Sequence, residues 1–65
     1  MNVKKRLEAG KPVYADFFNT HTMQQQRIRV VGMVKERSTP FYTLHGINGE
    51  VTERLDDSRV CFSDY

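Results

Sequence analysis

At 65 residues, 38% hydrophobic and 28% charged, the chain has room for one domain, near the lower size limit for folding without disulfides or metals. A single cysteine, Cys61, excludes an intramolecular disulfide and any four-ligand zinc pattern, and no apolar run is long enough to span a membrane. The net charge of +2 is unevenly spread: residues 1–37 hold eight Lys/Arg against three Asp/Glu, whereas residues 38–65 hold two against five, so the first part is the anion-facing one.

In chain order, Asn2 is a helix cap and Gly10 a helix stop, which predicts a short helix over about 3–9 with Val3 and Leu7 on one face. Lys4, Lys5 and Arg6 lie within it. No apolar segment follows them in the manner of a signal peptide, and the protein is expected in the cytoplasm. Aromatic and branched residues predict a strand over about 13–18, and the polar stretch 19–26 reads as a loop or an irregular strand extension. The strongest alternation runs over 27–37, where Ile28, Val30, Gly32 and Val34 alternate with Arg27, Arg29, Val31, Met33 and Lys35. Gly32 in its middle marks a bulge or sharp bend. A third strand over 41–47 and a returning strand over 50–55 flank Asn48-Gly49, a pair suited to a two-residue type I′ turn. Asp56-Asp57-Ser58 has turn chemistry, and 59–62 reads as a last short strand. The expected core is Leu7, Val13, Ala15, Phe17, Ile28, Val30, Val34, Tyr42, Leu44, Val51, Leu55, Val60 and Phe62. The whole is a mostly β domain spanning 1–65: a short N-terminal helix, then a five-stranded, strongly bent small barrel.

This order of helix, bent long strand, hairpin, short turn and last strand resembles Sm-like and SH3-like small barrels, including the bacterial Sm-like RNA chaperones. Tyr42-Thr43-Leu44, Gly49-Glu50, Arg54-Leu55-Asp56 and Val60-Cys61-Phe62 are similar to the closing strands of such modules. The resemblance implies RNA binding and assembly into oligomers. Near the last turn, where the chaperones carry Tyr-Lys-His, this chain has Leu55-Asp56-Asp57-Ser58-Arg59, an acidic turn that repels phosphate.

No catalytic constellation emerges. Asp56 and Asp57 are adjacent and point apart, and Cys61 with His45 lacks an orienting third group, so no enzymatic activity is expected. His21, His45 and Cys61 have no metal-ligand spacing, and neither a metal nor another cofactor is expected. Two functions remain. In the first, Lys4, Lys5, Arg6, Arg27, Arg29, Lys35 and Arg37 contact nucleic acid, RNA in preference to DNA, with Tyr14 or Phe18 stacking on bases. In the second, the outer face of the long strand (Val31 and Met33) and the loop residues Met23 and Gln25 contact a protein, which makes the chain a small regulatory binder or inhibitor. Both are compatible with a homo-oligomer, which would bury apolar surface that so small a domain leaves exposed.

Overall fold

Asn2 starts the only helix, α1 (Val3–Glu8): its side-chain oxygen accepts the Lys5 amide hydrogen at 3.1 Å, giving a partner to a donor that has none inside the first turn. The other end closes as sharply. With Gly10 at φ +71°, its amide donates to Leu7 and the Lys11 amide donates to Arg6, the paired bonds of a Schellman turn. In this computed structural model, which describes Met1 to Tyr65, the expected 3–9 helix is therefore 3–8 with Ala9 as its cap.

Four strands follow: β1 (Tyr14–Asn19), β2 (Gln24–Lys35), β3 (Tyr42–Gly46) and β4 (Val60–Ser63). They form one antiparallel sheet in the order β3-β2-β1-β4. Alternation fixes which side of β1 faces in. Ala15 and Phe17 are buried with Val13, while Phe18 remains 42% exposed. Ile28 and Val30 of β2, Tyr42 and Leu44 of β3, and Leu55 complete the core, and α1 contributes Val3. Leu7, Met33, Val60 and Phe62 pack half-buried around it.

The long strand holds the decisive irregularity. Val30 pairs with Gly46, but the next pair is Gly32 with His45, so two residues of β2 stand against one of β3. This is a β-bulge at the position where Gly32 predicts one. Its consequence is a change of parity: before it the even-numbered residues face the core, after it the odd-numbered ones do. Met33 therefore pairs with buried Leu44 and is half-buried, and Val34, expected in the core, pairs with Thr43 and is 59% exposed.

Three further expectations are corrected. There is no fifth strand over 50–55 and no closed barrel: this segment runs beside β3 without a continuous ladder, pairing with it as the isolated bridges Tyr42–Leu55 and His45–Val51 and through the Thr52 amide, which donates to the Leu44 carbonyl at 3.0 Å. Between these bridges the Leu44 amide donates to the Thr52 hydroxyl at 2.9 Å, so a side chain takes the place of a ladder carbonyl. Val51, expected in the core, lies beside His45 and is 64% exposed. Of the two readings open for 19–26, residues 24–26 take the strand extension: they belong to β2, because Gln24, Gln25 and Gln26 pair with Asn19, Phe18 and Phe17. Finally, Asn48-Gly49 is not a type I′ turn. Gly49 has φ +86° but Asn48 does not have a positive φ. The Gly49 amide donates to Gly46 and the Gly46 amide donates to Glu50, which gives a three-residue loop ending in a left-handed glycine.

Nothing lies within 4 Å of a Cβ built on Gly49, so substitution there meets backbone strain alone. Gly49→Val is expected to lower stability by about 1 kcal/mol or more, and Gly49→Asn by distinctly less, because asparagine tolerates positive φ. Urea unfolding of the two variants measures the difference; equal losses would exclude backbone conformation as the cause.

Candidate nucleic-acid interface

On the outer face of the sheet, register places Tyr14 beside Arg29 and Asp16 beside Arg27. Arg27 is fully engaged there. Its guanidinium pairs with Asp16 at 3.3 Å, lies 4.7 Å from the centre of the Tyr14 ring and donates to the Tyr65 carbonyl. Three other arginines are also engaged. Arg6 donates to the Pro12 carbonyl, Arg54 pairs with Glu36 over the Phe41 ring, and Arg59 donates to the Arg54 and Phe18 carbonyls beside Glu53. The remaining cations are Lys4, Lys5, Lys11, Arg29, Lys35 and Arg37, none of which has a carboxylate within ion-pair distance.

Four of these six meet along the seam between α1 and β2. One shallow depression is lined by Leu7, Lys11, Arg29 and Val31, and a second by Lys4, Leu7, Val31, Met33 and Lys35. They share Leu7 and Val31, so the two form one strip with an apolar floor and two cations at each end. The bulge brings Lys35 to this seam: without the parity change it would stand on the outer face, and with it Lys35 follows Met33 toward the helix side. Arg29, before the bulge, lines the strip from the outer face. Glu8 is the one acid on the strip.

Beyond Lys4 and Lys35 the strip opens into a cleft of about 690 Å³ between the start of α1 and the sheet. Its walls include Met33, Pro40, Val60 and Phe62, and the Tyr42 hydroxyl donates to Asp57 across its floor at 2.7 Å. Burial pushes the Tyr42 phenol up, and the hydrogen bond and charge of Asp57 push the same way, so the phenol is a donor at neutral pH.

At the opposite end of the sheet, Glu53 accepts from both the hydroxyl and the amide of Thr20, at 2.6 and 2.9 Å, and pairs with Arg59 at 3.4 Å. The Thr20 hydroxyl, chiefly, and then its amide hold the carboxyl below its ordinary range, against a smaller opposing effect of burial. A carboxyl depressed by folding contributes stability above its unfolded pKa and loses it as pH falls through the folded one. Glu53→Gln should therefore lower Tm at neutral pH and lower it progressively less as pH falls below the ordinary carboxylate range. Parallel Tm-against-pH curves for the two proteins would contradict this.

The structure separates the residues singled out by sequence. Lys4, Arg29 and Lys35 come together; Arg27 lies on the outer face in its own ion pair; Lys5 and Arg37 are exposed elsewhere; Arg6 is bound to Pro12. Val31 and Met33 do not form an exposed pair, because the bulge turns Met33 inward. Met23 sits at the tip of the β1–β2 hairpin with φ +57°, and Gln25 lies opposite Phe18 on β2. Cys61 on β4 and His45 on β3 are on opposite edge strands, and no three His, Cys, Asp or Glu side chains come together in a metal-sized group. Sequence reasoning missed Lys11, although its position directly after the Gly10 stop carries it back toward β2. It also missed the exposed face of Asp57, which was legible only as part of an acidic turn. No helix is long and apolar enough to cross a membrane. Comparison with protein-family models, curated proteins and solved structures gave no match.

Proposed function

We propose that this protein is a small regulatory module of Sm-like type that binds single-stranded nucleic acid, RNA in preference to DNA, along the seam between α1 and β2. The observation that carries the reading is the set of four cations without ion-pair partners, Lys4, Lys11, Arg29 and Lys35, bracketing the apolar strip of Leu7, Val31 and Met33. Phosphates meet the charges while bases rest on apolar side chains, which is the general arrangement of non-sequence-specific single-strand sites. The Sm-like part of the reading rests on the order of elements and the closing residues Tyr42-Thr43-Leu44, Arg54-Leu55-Asp56 and Val60-Cys61-Phe62 in the sequence. The activity is one of binding, with no reaction and no cofactor.

A second reading rests on a different surface. Val34 and Val51 flank His45 on the outer face of β2 and β3, 59% and 64% exposed, and would suit contact with another copy of the chain or with a protein partner. An electrophoretic shift assay at low salt, with mixed RNA and DNA oligonucleotides, decides between them. A shift that weakens steeply with salt is expected; none at micromolar protein would overturn the nucleic-acid reading and leave the protein contact.

A further inference from the structure

Resting on that reading, we infer that the cleft between α1 and the sheet receives one base of the bound strand, and that the base is guanine. Its volume lies within the range of small-ligand sites, and its walls of Met33, Pro40, Val60 and Phe62 offer an apolar slot to a flat ring. Lys4 and Lys35 stand at the rim where the cleft joins the basic strip, so a phosphate on the strip places its own base at the mouth. Asp57 is the only carboxylate lining the cleft. Its negative charge turns phosphate away and fixes the direction of entry, base inward and phosphate at the lysines.

The same carboxylate selects among bases. Asp57 is solvent-exposed, and one of its oxygens already accepts from Tyr42, which orients the group and leaves acceptor capacity on both oxygens. An ionised carboxylate accepts and does not donate. Guanine presents two neighbouring donors, N1–H and the exocyclic N2 amine, with no acceptor between them. Uracil and thymine offer a single N–H between two carbonyls. Adenine and cytosine offer an amine beside a ring-nitrogen acceptor that would face an Asp57 oxygen. Only guanine fills the carboxylate fork without a repulsive contact, and single-stranded RNA is commonly read on this edge of its bases. The acidic turn, unfavourable for phosphate, is thus favourable for this base.

The test is titration of the whole protein with guanosine, adenosine, cytidine, uridine and inosine monophosphates at low salt, followed by NMR on the Met33 methyl and the Phe62 ring. Guanosine monophosphate should bind at least about tenfold more tightly than the adenosine, cytidine and uridine nucleotides and shift both reporters. Inosine monophosphate, which lacks only the N2 amine, should lose most of that advantage on the unaltered protein. Asp57→Asn, whose amide can place a donor against a donor, should abolish the preference, while Tyr42→Phe, which frees Asp57, should retain it. Equal binding of all five nucleotides, or inosine binding as tightly as guanosine monophosphate, would overturn the inference. If oligonucleotides nevertheless shift in a salt-dependent manner, strand binding stands and only the guanine site falls; if they do not, both fall.

Discussion

Phe17→Ala is expected to abolish cooperative thermal unfolding near room temperature, whereas Phe18→Ala, one residue further along β1, leaves the transition largely in place. Phe17 is 2% exposed and sits among the core side chains of β1, β2 and β3, while Phe18 is 42% exposed on the outer face. Removing a buried phenylalanine costs about 3–5 kcal/mol, the lost transfer energy plus the cavity left behind. A domain of this length has about 3–10 kcal/mol in total, so one such cavity consumes much or all of it. At Phe18 solvent already wets much of the ring, and the expected loss is about 1 kcal/mol or less. Circular dichroism melts of the two variants provide the comparison. Similar losses would mean that the faces of β1 are assigned wrongly, and with them the whole core.

The second large effect concerns binding. Replacing Lys4, Lys11, Arg29 and Lys35 together by Ala should remove the oligonucleotide shift at micromolar protein and reduce the salt dependence, log K against log salt, by about three units, since each phosphate contact on a single strand contributes about 0.7. All four side chains are exposed, so the fold should survive, which the same melts verify. Arg27→Ala alone should change the slope little, because its charge is already occupied by Asp16, the Tyr14 ring and the Tyr65 carbonyl. Lys5→Ala with Arg37→Ala supplies a control of equal charge type away from the strip. If that pair reduced the slope as much per charge as the four, binding would be diffuse attraction to a basic surface and not occupation of the seam.

How much of this was legible in the sequence depended on how local the signal was. Asn2 and Gly10 act on backbone groups within a few residues, and the helix ends fall within one residue of the expectation. The alternation of Val13, Ala15 and Phe17, and of Ile28 and Val30, identified the inner faces of β1 and of the first half of β2. Gly32 signalled an irregularity, but not the reversal of faces after it, and this single omission misplaced Val34, Met33 and Lys35 together. The segment 50–55 has the composition of a strand. In the fold its pairing with β3 is broken: at Thr52 the Leu44 amide donates to the hydroxyl and not to a backbone carbonyl, a tertiary contact with no signature in the order of residues. For the site, sequence supplied the excess of positive charge in the first part of the chain but not which charges were already taken. Asp16 neutralises Arg27 only because the hairpin register sets them side by side.

The position of β1 in the middle of the sheet has a kinetic consequence. Its pairing with β2, and that of β2 with β3, each join neighbouring segments, so these ladders close over short loops and at small entropic cost. The pairing with β4 brings Ser63 beside Tyr14 and must wait for almost the whole chain to be in place. Until then the free side of β1, from Tyr14 to Phe17, is an open template for hydrogen bonding. The first strand to reach it need not come from the same molecule. Two chains folding at high concentration can each complete the other's sheet with β4, so the slow last step of folding is also the point at which domain-swapped dimers and edge-to-edge aggregates would begin.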